Sequence, residues 1–273
     1  DLTCKKEVER LFSTVRPDAV LMAAAYSTSS KDIAEAPYKQ VTPSVIMNAL
    51  VFEACHLFEV KHCLFFSCSV MHGSKDSPQK ETDWNIGQPL YPAYGFVGST
   101  KVYSEGLCEY YSKLGKCKFG VIRNSNIVGK NDKADLAKAH VCGSLAMKVL
   151  QSTDKLDIWG AKGSGTRRDI IHVSDVVRLV DSILNKQTTS FERVNCGMGQ
   201  SFSISEIAET LKKAAGREDL ELVYDETKPS ILTNVVLDCS KAKELFGWEP
   251  KVSFEEALSK TIQYYKSIYE PRT

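Results

Sequence analysis

The stretch HCLFFSCSVMHG at 62–73 opens with an almost unbroken apolar run, which is typical of a strand buried on both faces. Two further runs, AVLMAAA at 19–25 and KFGVIR at 118–123, have a similar character. Residues 43–58 and 101–114 lie between them and have helical spacing of their apolar residues. Apolar strands that alternate with helices indicate a parallel sheet covered on both faces. The sequence therefore predicts an α/β fold with a doubly wound parallel sheet.

Composition excludes several classes of protein. The 273 residues carry 35 basic and 34 acidic side chains, so no bulk charge attracts nucleic acid or an anionic membrane. The nine cysteines are odd in number and lack C-x-x-C spacing, which argues against a disulfide framework or a zinc site. No apolar run approaches the roughly 18 residues of a membrane span. We expect a globular protein of the reducing cytoplasm that needs no metal.

The second half of the chain has a looser rhythm of shorter elements. Two S-x-x-E patterns, at Ser203 and Ser253, are typical of helix starts. We predict a dinucleotide-binding domain over 1–128 and a smaller mixed α/β domain over 129–273, with about 170–195 returning to the first core. Ligands of open α/β sheets bind at the carboxyl ends of the strands, so we expect the site there.

A glycine-rich turn is missing from the place where a dinucleotide-binding sheet normally carries it. No G-x-x-G-x-x-G element follows a strand in this sequence. The glycines at 160–165 and 197–199 lie in the second half, and we interpret them as turn glycines.

Several segments together resemble a known family. They are DLTCKKEVERLFSTVRPDAVLMAAA, RNSNIVGKND, WGAKGSGTRRDIIHVSDVV, NCGMGQSFSISEIAE and DCSKAKELFGWEPKVSFEEAL. In order and spacing they resemble the extended short-chain dehydrogenase/reductases that act on nucleotide sugars, most closely the GDP-L-fucose synthases. The resemblance implies a Rossmann-type sheet, and on that alignment roughly the first 50 to 60 residues of the fold, about one and a half βαβ units, are missing.

The resemblance also implies ligands and a partner. It implies NADP or NAD as cofactor, a nucleotide sugar as substrate, and a homodimer that pairs the helices at 43–58 and 101–114. Asp1 and Leu2 would lie beside the adenine, and Ala23, Ala24 and Ala25 along the cofactor.

The family's catalytic pair is a Tyr and a Lys one helical turn later. Lys101 is present, but Val97 stands four residues before it, and the nearest upstream phenol is Tyr94. Gly95 and Gly98 argue against a continuous helix here, so we predict that the helix starts near Ser99 and that a loop brings Tyr94 to the site. Tyr94 is then either the acid or an aromatic that packs under the substrate loop. Lys101 is either its partner or a solvated surface residue.

The family's hydroxyl donor and its epimerising Cys are both altered. Cys68 occupies the position of the hydroxyl and offers only a weak S–H donor. Ser69 follows it and is a possible substitute, while the alternative is that Cys68 is a small buried residue at a strand end. Val70 stands where the epimerising Cys is expected, which argues against epimerisation at C3 and C5.

Other candidate residues lie in the second half. His140 follows Gly129 at the spacing of the family's proton-donating His, and the alternative is a non-catalytic His at a helix start. Arg168, with Asn126 and Lys228, is implied to contact the diphosphate. Trp159 either stacks on the sugar or base or is a core aromatic.

The predicted function is that of a nucleotide-sugar epimerase/reductase similar to the GDP-L-fucose synthases. Two alternatives remain open. One is a nucleotide-sugar 4-epimerase or 4,6-dehydratase, and the other is a catalytically impaired relative that binds nucleotide sugars.

Overall fold

The computed structural model describes residues 1–26, 36, 38–85, 87–90, 92, 95–136, 138–228 and 230–269. The helices in these residues are α1 (Lys5–Val15), α2 (Tyr38–Leu57), α3 (Gly95–Lys113), α4 (Val141–Gln151), α5 (Val173–Lys186), α6 (Ile204–Ala215), α7 (Ser240–Phe246) and α8 (Phe254–Tyr269). The strands are β1 (Ala19–Met22), β2 (His62–Cys68), β3 (Lys118–Asn124), β4 (Asn126–Val128), β5 (Lys155–Trp159), β6 (Arg167–His172), β7 (Phe191–Cys196), β8 (Ser201–Ser203) and β9 (Glu221–Asp225).

The main sheet is parallel and has the order β1-β2-β3-β7. Successive side chains of a strand point to opposite faces, and each face has its own core. Cys63 and Phe65 of β2 pack with α1, α2 and α3 on one face. Leu64 packs on the other face with α5 and α7, where Trp248 is almost fully buried. The sheet is thus doubly wound, with helices on both sides.

The second half forms two small sheets around a third core. Strand β6 pairs with β4 in parallel and with β8 antiparallel, and β5 pairs with β9 in parallel. Helices α4, α6 and α8 bury their apolar faces together. A complete capping box opens α6, in which the Glu206 amide donates to Ser203 Oγ at 3.1 Å and the Ser203 amide to Glu206 Oε2 at 2.7 Å. Strand β7 returns to the main sheet beside β3.

Helix α3 begins at Gly95, so the prediction of a start near Ser99 is wrong. Packing explains the difference. A Cβ at Gly98 would lie 3.3 Å from a methyl carbon of Leu90, so glycine permits this close approach. Asn48 of α2 also donates to Ser104 of α3 at 2.8 Å in the buried interface between these helices. These contacts outweigh the roughly 1 kcal/mol that each interior glycine costs.

Two other predicted boundaries differ from the structure. Helix α2 begins at Tyr38, five residues before Pro43, which lies inside it. Strand β1 ends at Met22, where the Ala23 amide turns back to donate to Leu21 O at 2.9 Å. Ala23, Ala24 and Ala25 therefore follow the strand as exposed, irregular chain. Among the described helices, none is both long and apolar enough to cross a membrane.

Candidate active site

The side chain of Lys101 reaches the carboxyl end of β2. Its Nζ donates to Phe66 O at 2.8 Å and lies 4.9 Å from the centre of the Phe65 ring. Burial lowers the pKa of Lys101, while the neighbouring Cys68 and Glu105 act in the opposite direction. The ammonium is therefore held at one point, at the edge of the sheet where ligands of such folds bind.

Cys68 is half-buried at the end of β2 and interacts electrostatically with Lys101. Burial raises the pKa of its thiol, and the Lys101 ammonium partly opposes this. The thiol therefore stays protonated near neutral pH and offers a weak donor. Ser69, also half-buried, lies in the bend that follows, and its carbonyl accepts from the His72 amide at 3.1 Å. The structure thus brings Cys68 and Lys101 together, and Ser69 follows Cys68 in the chain.

A buried ion cluster lies one helical turn from Lys101. The Glu105 carboxylate accepts from Arg123 Nε at 3.1 Å, from Arg123 Nη2 at 2.8 Å and from Ser67 Oγ at 2.6 Å. Arg193 Nε lies 2.9 Å from the same carboxylate as an ion pair. Glu105 and Arg123 are 2% and 0% exposed. The cluster ties α3 to β2, β3 and β7, and it engages the Ser67 hydroxyl away from any ligand.

The loop after β2 is fastened to the same cluster. Arg123 Nη1 donates to Glu81 O at 3.0 Å, and Glu81 Oε1 accepts from the Asn195 amide at 2.6 Å. His72 is buried beside these groups, and neither ring nitrogen has a partner among the described residues. Burial, with the nearby Arg123 charge, lowers the pKa of His72 to about 4. The imidazole is therefore neutral.

His140 lies directly before α4 and is exposed. Surrounding protein lowers the pKa of its imidazole, the Asp132 carboxylate raises it, and Lys133 lowers it. Because the side chain is exposed, solvent limits the lowering. An exposed imidazole can exchange protons with solvent, so His140 stays a candidate proton donor.

Arg168 and Asn126 are both bonded to backbone carbonyls. Arg168 Nη1 donates to Arg167 O at 2.8 Å and to Thr233 O at 3.1 Å, and its Nη2 donates to Ile231 O at 3.0 Å. Asn126 Nδ2 donates to Asp169 O at 2.8 Å. The guanidinium fastens the segment 231–233 beside β6.

Trp159 ends β5 on the surface and is 46% exposed, so it is not a core aromatic. Lys148 Nζ lies 5.2 Å from the centre of its ring. The charge of Lys228 helps to lower the pKa of Lys148, so Lys228 lies in the neighbourhood of Lys148. An exposed indole beside a cation is suited to a flat anionic ligand.

The remaining predicted residues lie near the start of the chain or outside the described residues. Leu2 packs partly against the first core, and Asp1 accepts hydrogen bonds from the Thr3 amide and hydroxyl at 2.8 and 2.7 Å. Tyr94, the predicted acid, lies outside the described residues.

Sequence reasoning missed the ion cluster of Glu105, Arg123 and Arg193. One signal was available, since Arg123 interrupts an otherwise apolar strand, and a buried charge is almost always paired. Asp132 ends the quoted segment RNSNIVGKND but was given no role, and no local pattern marks Tyr265.

The fold and this site define a class of protein. A doubly wound parallel sheet that holds an ammonium at the carboxyl end of its second strand is suited to bind a dinucleotide and the substrate it reacts with. The family model described as the NAD dependent epimerase/dehydratase family matches residues 1–197. The chain belongs to that family.

Individual relatives agree with this membership. A GDP-L-fucose synthase of Sinorhizobium fredii is 29% identical over 98% of this chain and 85% of its own length. The crystal structure of a UDP-glucose 4-epimerase of Thermotoga maritima with UDP-glucose is 26% identical, covers 99% of this chain and 84% of its own, and has a TM-score of 0.86. A GDP-6-OMe-4-keto-L-xylo-heptose reductase from C. jejuni shares the fold, with 20% identity, 98% and 88% coverage and a TM-score of 0.87.

Membership identifies an enzyme of the nucleotide-sugar epimerase/reductase class that uses NAD or NADP. The residues present fit such a cofactor. The fixed Lys101 ammonium is a donor suited to ribose hydroxyls, and the small exposed side chains at 23–25 leave room for a ligand after β1.

Proposed function

We propose that this protein is a nucleotide-sugar epimerase/reductase similar to the GDP-L-fucose synthases, with hydride transfer at the sugar C4. The observation that carries the proposal is the position of Lys101 Nζ, held at the carboxyl end of β2 beside Cys68 and Ser69. When bound, NADP or NAD supplies or accepts the hydride. The protein's residues supply orientation and protons.

We assign the proton at the C4 oxygen to Tyr94. The positive charge of Lys101 would lower the pKa of a phenol beside it, and its ammonium would donate to the ribose hydroxyls of the cofactor. The Ser69 hydroxyl is a stronger donor to the C4 oxygen than the Cys68 thiol, so we assign polarisation of that oxygen to Ser69.

We assign proton donation during epimerisation to His140. Val70 has no group that can exchange a proton, so the second acid of the related enzymes has no counterpart at that position. We therefore expect reduction at C4 to be faster than proton exchange at C3 and C5.

We assign residues 129–273 to binding of the nucleotide sugar, apart from about 170–195, where α5 and β7 join the main core. A guanidinium has five N–H donors. In the described part of the chain, Arg168 uses three of them on carbonyls, which leaves its Nε–H and one Nη2–H. Parallel N–H groups of a guanidinium bind a phosphate bidentately, so we assign the remaining donors of Arg168 to the diphosphate. Trp159 would stack on the sugar or base, and Lys228 would contact the diphosphate. Asn126, which donates to Asp169 O, would lie beside Arg168 as a further diphosphate contact.

The function is tested by hydride transfer with NADP, NAD and their reduced forms against GDP-, UDP- and dTDP-linked sugars and their 4-keto forms. Nicotinamide absorbance reports reduction, and deuterium uptake from solvent reports exchange at C3 and C5. Reduction of a GDP-linked 4-keto sugar supports the proposal. Inversion at C4 without net cofactor consumption would instead identify a 4-epimerase. Nucleotide-sugar binding without hydride transfer would identify a catalytically impaired relative.

The assignment of Tyr94 predicts a loss of turnover in Tyr94→Phe. Removal of the phenol should lower kcat by about 10²- to 10⁴-fold, the usual contribution of a general acid. Cofactor affinity, measured by calorimetry, should stay close to that of the parent. Tyr103→Phe is the control, since Tyr103 is 51% exposed on the outer face of α3. Unchanged turnover in Tyr94→Phe would refute the assignment.

We also propose a homodimer that pairs α2 and α3 with their symmetry copies. Large apolar side chains lie exposed on the outer faces of these helices and just after α3: Ile46, Leu57, Tyr103, Tyr110 and Leu114. A two-fold axis lets one such patch cover its own copy.

The nine cysteines are free thiols, which supports a reducing compartment such as the cytoplasm.

The dimer predicts that Tyr110→Glu shifts the protein to monomer in sedimentation velocity at micromolar concentration. The carboxylate would be buried without a partner between the two copies. Tyr269→Glu, an exposed tyrosine on α8, should leave the sedimentation coefficient unchanged. A monomeric parent protein would contradict the proposal.

A further inference from the structure

The loop at 129–140 is fastened to the last helix at the point where α4 begins. Tyr265 of α8 is fully buried, and its hydroxyl donates to Lys133 O at 3.0 Å. Gly143 lies in the first turn of α4. A Cβ at that position would lie 2.6 Å from the Tyr265 hydroxyl and 2.9 Å from Asp132 Oδ2. The hydroxyl and the carboxylate therefore both lie against the backbone of α4, and glycine at 143 permits it.

The Asp132 carboxylate is oriented from two sides. Its Oδ1 accepts from the Lys133 amide at 2.8 Å, and its Oδ2 lies beside the first turn of α4. The amino-terminal end of a helix carries partial positive charge, which stabilises a carboxylate there. The Tyr265 hydroxyl lies against the same point of the α4 backbone, so it limits where the carboxylate can move. The result is a fixed negative charge at the start of α4.

His140 shares that start. It is the N-cap residue directly before α4, and Gly143 is the third residue of the helix, the position that an N-cap side chain faces. The carboxylate that touches Gly143 is therefore a near neighbour of the imidazole. The charged groups that act on His140 are Asp132 and Lys133, with opposite signs.

We propose that Asp132, held in place by Tyr265 and the first turn of α4, is the positioning residue for His140, keeping its imidazole oriented and able to carry a proton to the sugar. This rests on the proposed function, in which His140 is the proton donor at C3 or C5. The proton that His140 gives up is regained from solvent, so Asp132 takes no part in the proton transfer itself. Removing the carboxylate disfavours the imidazolium, and removing the Tyr265 hydroxyl loosens the carboxylate.

The test is a titration of His140 by NMR in the whole chain, labelled with ¹³C at histidine Cε1. The signal of His140, one of five histidines, is the one that His140→Gln removes. Asp132→Asn should lower the midpoint of its titration, and Tyr265→Phe should lower it less. Asp135→Asn removes an exposed carboxylate of the same loop, and Tyr264→Phe alters the adjacent ring, so both controls should leave the midpoint unchanged.

Activity gives a second readout. Asp132→Asn should slow deuterium uptake at C3 and C5 by about 10- to 100-fold, the size expected when a catalytic group is misplaced. Hydride transfer at C4 should stay within about twofold. An unchanged His140 midpoint in Asp132→Asn would overturn the proposal. A lowered midpoint with normal uptake in His140→Gln would support the pairing but overturn the proton-donor assignment.

Discussion

Lys101→Met is expected to lower turnover by about 10²- to 10⁴-fold, as loss of a group that assists proton transfer does. Methionine keeps the length and most of the volume of the side chain but cannot donate to Phe66 O or carry charge. Burial of the Lys101 ammonium costs free energy because it loses water, and the same burial lowers its pKa. Its removal should therefore change the melting temperature little, because the lost hydrogen bond and the relieved desolvation oppose each other.

The matched control is Lys113→Met at the end of the same helix. Lys113 is exposed and, among the described residues, forms an i,i+4 pair with Glu109, so its replacement should leave both turnover and stability almost unchanged. Nicotinamide absorbance and a thermal melt of each variant provide the measurements. If Lys101→Met turned over as fast as the parent protein, a catalytic role for Lys101 would be refuted.

Glu105→Ala is expected to destabilise the protein by about 3 to 5 kcal/mol, the range found when one partner of a buried ion pair is removed. Arg123 is fully buried, so its guanidinium would keep its charge without a counter-ion or access to water. Arg193 would suffer less because it is 25% exposed. Urea unfolding followed by circular dichroism should show an earlier midpoint with a similar slope.

Two further variants separate the ion pair from a general effect on α3. Glu109→Ala, one turn later, should cost at most about 1 kcal/mol, since Glu109 is only half-buried, pairs with exposed Lys113 and lies 3.9 Å from Arg193 Nη2. The double variant Glu105→Met with Arg123→Met replaces both charges by apolar groups of similar length and should recover much of the stability. A loss in Glu105→Ala no larger than in Glu109→Ala would contradict the account of the cluster.

The layered fold could be read from the sequence because its signals are local. The apolar runs of β2 and β3 and the helical spacing between them suffice to indicate a doubly wound sheet. The start of α3 could not be read in this way. Gly98 looks like a helix breaker in sequence, but it is a contact point for Leu90, and that contact exists only in the folded chain.

The candidate site divides along the same line. Lys101 was predicted because its helix resembles the family's, although Val97 stands where the phenol is expected, and its role stays a prediction. Glu105 has its partners on β2, β3 and β7, far apart in sequence, so no spacing rule reveals it. Arg168 was predicted as a phosphate ligand, but no sequence pattern indicates that it also donates to the carbonyls of Ile231 and Thr233.

The position of β7 beside β3 has a consequence for how the protein is made on the ribosome. Arg193 and Asn195 reach Glu105 and Glu81 from a strand that is synthesised after the whole of β4 to α5. A nascent chain that ends before Phe191 can form β1, β2 and β3, but the ion cluster beside Lys101 lacks its third member. Parallel pairing between distant segments also forms slowly. We therefore expect the surroundings of Lys101 to reach their final arrangement late in translation. Stalled chains that end before β7 should be cleaved by proteases around α3.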